Sequence, residues 1–446
     1  MADRHSRQRR PRGLVVAAIV AACFPPVVAS AQSPVPDRLT LEEALARTTA
    51  NSHRLGELRA REAAAGAVAE QRGAADNPSI AVDVGYQRTN HVTPYGFIQN
   101  GRLLVLYPDV PDNWRSRLDL QWPIYTGGRT AALERAAIAE RQASGQDLAQ
   151  ARADLRLETT RAFWALVTAT EAARVVAESV KRIEAQLGDV RARFDAGFLP
   201  PNDVLTVEAR VSQQQTLLIQ ARNQRDAARA ELARLMGAPI DADFDAEATL
   251  ETPDAAPTTP LAPAPGQRAD RLALSLRSDA AAALVDAARA ESKPTIAVVG
   301  GVDVARPNPR IFPRQDEWED SWDVGVNVTW TLWDGGRTSA QIAEARHQLD
   351  AARERLAELD SHIALEVRQR RLDLGSARAQ VTTAAAGLRS AAEARRVVAE
   401  RFSAGVATTT DLLDAQVDQL EAELDRTRAL ASVKLAEARL ARALGQ

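Results

Sequence analysis

One offset, 208 residues, carries half of this 446-residue chain onto the other half. Trp122, Gly127, Gly128, Arg129 and Thr130 return as Trp330, Gly335, Gly336, Arg337 and Thr338. Arg193, Phe194, Ala196, Gly197 and Asp203 return as Arg401, Phe402, Ala404, Gly405 and Asp411, and Ala233, Arg234 and Gly237 as Ala441, Arg442 and Gly445. A gapless period of this length means that one structural unit is built twice, so an element found in one half must have a counterpart in the other. Upstream, Pro78 and Ile80 match Pro294 and Ile296 at an offset of 216, so the first half carries eight extra residues. An insertion of that size belongs in an exposed loop.

Each half reads as helix, strand, loop, strand, very long helix, tight turn, helix. The strands show period-2 alternation of apolar and polar residues. Ile80, Val82, Val84 and Tyr86 form the first apolar set; Leu118, Leu120, Trp122 and Ile124 form the second. Ile296, Val298, Gly300, Val302 and Val304 form the third, and Trp322, Val324, Val326, Val328, Trp330 and Leu332 the fourth. All the tryptophans except Trp164 lie in or beside the second and fourth strands. Trp114, Trp122, Trp322 and Trp330 are thereby candidates for an aromatic girdle at membrane interfaces. An ordinary sandwich core is the other source of such a pattern.

Thr130–Phe194 and Thr338–Phe402 contain no proline. Each spans roughly 65 residues, or about 100 Å of helix at about 1.5 Å per residue. Val176, Val180, Ile183, Leu187, Val190 and Phe194 follow a 4-3-4-3-4 spacing, the seam of a coiled coil. Leu413, Val417, Leu420 and Leu424 repeat that spacing in the closing helix of the second half, as Val204, Val207 and Val211 do in the first. These seams predict two helical hairpins, one per repeat. With only 4% aromatic residues, the helices must pack largely through alanine and aliphatic side chains. The segment 238–267 is rich in proline and acidic residues and reads as the linker between repeats.

Residues 1–31 have the form of an export signal, with Arg4, Arg7, Arg9, Arg10 and Arg12 ahead of the apolar run Leu14–Cys23 and the small-residue site Ala29-Ser30-Ala31. Cleavage after Ala31 is one processing route. Lipidation of Cys23 is the other, because Val20-Ala21-Ala22 precedes the cysteine as a lipidation site requires. On either route the mature chain has no disulfide. No stretch reaches the roughly 18 to 20 apolar residues of a helical membrane span. If the exported chain crosses a membrane, it does so as strands.

Composition also narrows the chemistry. Lysine and arginine number 56 against 59 acidic residues, so no polycationic footprint for nucleic acid exists. His5, His53, His91, His347 and His362 show no metal-ligand spacing, and no cysteine nucleophile survives export. Gly127-Gly128-Arg129 lacks the wider glycine pattern and lysine of a phosphate loop and reads as a strand-to-helix turn. The expected protein is not an enzyme, with no catalytic residues, metal or cofactor.

Four strands of about ten residues can cross a tilted bilayer, but an open sheet leaves two unpaired edges that lipid does not tolerate. Other copies must complete the barrel; two copies give eight strands and three give twelve. The duplicated plan, the Gly-Gly-Arg after each second strand and the Arg-Phe-x-Ala-Gly turns together resemble the TolC family of outer-membrane efflux proteins, over about residues 38 to 445. That resemblance implies an α+β membrane protein: a homotrimer with a twelve-stranded outer-membrane β-barrel, continued by long coiled-coil hairpins that form a periplasmic tunnel. Its partners would be a periplasmic adaptor (membrane fusion) protein, an inner-membrane pump and outer-membrane lipid. The expected organisation is a signal at 1–31, a first repeat at 32–237, the linker at 238–267 and a second repeat at 268–446. The expected function is a passive exit duct of a tripartite efflux system for drugs or other small molecules. A type I protein secretion duct, or a non-conducting periplasmic structural or adaptor coiled coil, are the alternatives.

The tip turns are Phe194–Asp203 and Phe402–Asp411. Gly197 and Gly405 suit a left-handed residue at a helix end, and Asp203 and Asp411 suit the anion-favouring start of the next helix. By resemblance, Asp411 and Asp414 match aspartates that ring the family's periplasmic constriction. The resemblance also supplies a tyrosine and an arginine that tie the closed tip toward the Asp203 turn; here those positions hold Phe402 and Ala407, so packing must replace polar links. Asp411, Asp414, Asp418, Glu421 and Asp425 form an acidic stripe, which suits either a solvated outer face or a water-filled lumen.

Overall fold

A computed structural model of the chain describes residues 36–250 and 267–446. The export signal, Cys23 and most of the 238–267 linker lie outside the described residues. In chain order, β1 (Arg38–Leu39), α1 (Leu41–Asn51) and α2 (His53–Gly73) lead into β2 (Ser79–Arg88), β3 (Tyr95–Gln99), β4 (Arg102–Tyr107) and β5 (Asp112–Tyr125). The long α3 (Arg129–Asp195) and α4 (Pro201–Met236) close the first half, and β6 (Asp245–Ala246) follows. The second half runs α5 (Ala269–Ala290), β7 (Thr295–Arg306), β8 (Glu319–Thr329), α6 (Arg337–Ser403) and α7 (Thr409–Ala443). Helix, strand, strand, very long helix and closing helix thus recur in both halves, while the first half divides its leading helix into α1 and α2 and adds β3 and β4 between its strands.

The two long helices have 67 residues each, about 100 Å of rise. Both start from the same glycine pair, whose left-handed backbone turns the chain out of the sheet. At equivalent positions Thr126 Oγ1 and Asp334 Oδ2 accept the N–H of Thr130 and Thr338, so the repeat preserves the cap while changing its chemistry. The α3 and α4 helices form one hairpin and α6 and α7 the other, while α5 packs against both α3 and α6. The expected seams are largely buried: Val176, Ile183 and Val190 on α3 meet α4 and α7, and Val180 between them is buried as well. Phe194 is the exception, at 39% exposed. The seam ends a turn early because Phe402, its repeat counterpart, fills that end of the cluster together with Val207, Leu412 and Leu413.

Four of the strands form one antiparallel sheet in the order β2-β5-β7-β8, two hairpins side by side, and the short β1 and β6 pair in parallel apart from it. The register aligns Ile80 with Leu120, Leu120 with Gly300 and Gly300 with Val324, so the apolar sets share one face. Two boundaries differ from the sequence reading. The second strand begins at Asp112, because Arg115 and Arg117 find carboxylate partners and extend the pairing beyond the apolar run. The fourth ends at Thr329, leaving Trp330 and Leu332 outside it; the Trp330 indole N–H donates to the Ser292 carbonyl at 3.1 Å, which holds it at the turn after α5. The extra residues of the first half are also more ordered than a loop: β3 and β4 pair as a hairpin, joined at Asn100-Gly101 with φ of 53° and 74°.

Near the chain end, Arg268 is 5% exposed and donates to Asp270, to Glu366 at 2.7 Å and to the Ala443 carbonyl. It joins α5 to α6 and to the last turn of α7. Arg268→Ala should therefore lower stability by about 2 kcal/mol, because Asp270 is left with only the Arg271 N–H while Glu366 keeps Arg442 at 3.5 Å, read as an earlier thermal loss of helical circular dichroism. An unshifted melt would show the network to be energetically neutral.

Candidate functional site

Two regions combine the residues singled out above: the tip of the helical hairpins and the sheet. At the tip, Ala196 and Ala404 end the long helices, and Gly197 and Gly405 follow with φ of 77° and 74°. Phe198 N–H donates to the Arg193 carbonyl and Gly197 N–H to Phe194; Val406 and Gly405 repeat these bonds to Arg401 and Phe402. This pairing satisfies carbonyls that the helix end leaves free and needs the left-handed residue where glycine stands.

Asp411 is the third residue of α7 and closes a capping box. Its carboxylate accepts the Thr408 N–H at 2.8 Å, while its own N–H donates to Thr408 Oγ1. The bond from the Thr408 backbone, followed by the Thr408 hydroxyl, holds the Asp411 carboxyl below the usual aspartate range. Because the folded value is the lower one, the cap's contribution is complete above the ordinary aspartate pKa and is lost as pH falls through the lowered value. Asp203 stands at the same position of α4, half-buried, with its N–H on the Pro200 carbonyl. Asp414 lies about one turn beyond Asp411 and is paired with Arg210 of α4 at 3.5 Å.

Phe402 is 6% exposed within the cluster of Val190, Val207 and Leu413, with Ala407 partly buried against it. The Arg193 guanidinium lies 4.8 Å from its ring centroid and also donates to its carbonyl. Arg193 and Arg210 thus link the two helical hairpins at the tip. The repeat marked Arg193 but not this contact, and no local pattern marks Arg210, since both partners lie some 200 residues away. Asp411, Asp414, Asp418, Glu421 and Asp425 are all exposed, opposite the buried Leu413 and Leu420.

The sheet is inside-out relative to a protein in water. In one copy of the chain, Val84, Val302 and Val324 on the apolar face are exposed, while Gly301, Asp303 and Ala305 on the polar face of β7 are buried. Asp303 takes Arg115 in a two-bond fork and Arg117 as well; Arg117 also reaches Asp119 at 2.6 Å and Asp323 at 3.2 Å. Arg310 completes the group at 2.7 Å from Asp323. These charges are matched among themselves, so the polar face suits a wet enclosure and the apolar face suits lipid. Trp114, tilted against Tyr86 with ring centroids 4.4 Å apart, and Trp322 lie toward the loop end of the sheet; Trp122 and Trp330 lie toward the helices. Among the described residues no helix is long and apolar enough to cross a membrane, and no group of side chains is arranged to hold a metal ion.

The sequence pattern of the family described as outer membrane efflux protein matches residues 44–238 and 264–446. The chain belongs to this family. Its members are outer-membrane channel proteins of efflux and secretion that extend into the periplasm, and that is the setting of this chain. It is 28% identical over 273 residues to the outer membrane efflux protein BepC of Brucella suis, a stretch covering 58% of this chain and 56% of BepC. It is 25% identical over 320 residues to the alkaline protease secretion protein AprF of Pseudomonas aeruginosa, covering 68% and 64%. The chain thus matches less than two thirds of the length of either relative. The fold is that of the outer membrane protein VceC of Vibrio cholerae, with a TM-score of 0.75 at 20% identity over 91% of this chain and 96% of VceC.

Proposed function

We propose that three copies of the chain close a twelve-stranded barrel in the outer membrane, and that the helical hairpins continue it as a tunnel across the periplasm. The observation that carries this reading is the four-stranded sheet, bare and apolar on one face, charged on the other with Asp303 buried among its arginine partners, and with the backbone edges of β2 and β8 unpaired. Lipid excludes such edges, and pairing β2 of one copy with β8 of the next removes them. The charged face then lines a water path.

The duct is passive and opens for small molecules, including drugs, delivered by an inner-membrane pump through a periplasmic adaptor at the tip. Asp203, Asp411, Asp414 and Phe402 form its gate. Three copies of Asp411 and Asp414 put six carboxylates around the opening and favour cations. In the closed state the Phe402 cluster, Arg193 over its ring and the Arg210–Asp414 pair hold the two hairpins together.

The similarity to AprF, a protein of alkaline protease secretion, favours a second reading in which the cargo is a secreted protein. Deleting the gene separates the two. The efflux reading expects higher sensitivity to apolar toxic compounds with an unchanged set of secreted proteins. Loss of a secreted protein at unchanged sensitivity would reverse the assignment.

A further inference from the structure

The end of the sheet opposite the helices carries its own apparatus. Both connections there fold onto the charged face of the sheet. Asn308, 1% exposed, donates to Ser321 Oγ at 3.1 Å and to the Glu319 carbonyl, and Arg310 reaches down to Asp323. Ser321 and Asp323 alternate with Trp322 and so lie on the charged side.

The hairpin β3–β4 is tied to the same side by one residue. Arg314 donates to Asn113 Oδ1 at 2.8 Å, and Asn113 is on the charged side of β5. The same guanidinium bonds the Tyr107 hydroxyl at 2.5 Å and lies 5.0 Å from its ring centroid, while Arg314 N–H donates to the Leu106 carbonyl. The anchored hairpin is apolar on both faces: Phe97 and Leu104 pair across it at 49% and 42% exposed, and Ile98 is 77% exposed. A ribbon exposing this much apolar surface needs cover.

We propose that the β3–β4 hairpin is a lid over the outer mouth of the barrel, latched by Arg314 and covered by the same hairpin of the neighbouring copies. The inference rests on the barrel reading above, in which the charged face is the lumen: connections pinned to that face extend over the opening and not over lipid. The lid makes a second constriction, apolar where the tip is acidic. Its lining suits cargo with aromatic or aliphatic surface and slows hydrated solutes.

The test is accessibility from outside the cell. A cysteine placed on the lumen side, Gln121→Cys, is exposed to a maleimide-polyethylene glycol too large to cross the membrane, and read against the parent chain, whose sole cysteine is Cys23. With the lid latched, labelling is slow; removing residues 95–107, or Arg314→Ala, should speed it about tenfold by opening the apolar constriction. Gly96→Val is a milder variant, since a side chain there collides with the Leu104 carbonyl and unpairs the hairpin. Equal labelling in the parent and every lid variant would overturn the lid and leave the channel standing. If Gln121→Cys labels no faster than Val326→Cys on the apolar face even without the hairpin, the charged face lines no water path and the barrel reading fails with it.

Discussion

Val326→Arg should eliminate the protein from the outer membrane, whereas Asn327→Arg, the next residue, should leave it there. Val326 pairs with Val298 in the middle of the apolar face and is 64% exposed in one copy. An arginine there faces the hydrocarbon core, at a cost of about 2–4 kcal/mol per copy. Three copies multiply a cost that is already a large part of a domain's net stability. Asn327 pairs with Ala297 on the charged side, where added charge meets water. Membrane fractionation with heat-modified mobility on denaturing gels reads the result, and equal insertion of both variants would show that the apolar face does not meet lipid.

The second large effect is expected at the tip. Phe402→Ala empties a buried site that joins α6 to α3, α4 and α7, worth about 3 kcal/mol or more. Opening that separates the hairpins parts this cluster, so its loss should shift the closed-to-open balance by roughly a hundredfold. Open time in planar bilayers should rise accordingly, further when Arg210→Ala removes the partner of Asp414. Charge and capping separate in Asp411→Asn with Asp414→Asn, which preserves an acceptor for the Thr408 N–H while removing the carboxylates. Cation preference should fall with the tip still folded. Unchanged open time in Phe402→Ala would exclude its cluster as a closing contact.

The parts legible in the sequence are those with a period. Alternation placed all four strands, because one face of each must be apolar along its length, and the 4-3 spacing placed the seams. Register and partners were less legible. Arg115 and Arg117 read as a loop before the second strand until Asp303 is seen beside them, since nothing local links residues 186 or 188 positions apart. The β3–β4 hairpin did carry a signal, Asn100-Gly101 between two apolar runs, masked by treating the insertion as loop. Phe194 and Phe402 show the limit of the repeat: equivalent in sequence, one is exposed and the other buried under Arg193, because duplication copies an element and not its neighbours.

Planar-bilayer conductance of the detergent-extracted mature protein, measured with its mass in solution, tests the central claim most directly. A trimer with discrete, cation-selective openings is the predicted result. A species of any size that inserts no conducting pore would contradict the duct and leave a structural or adaptor coiled coil in its place.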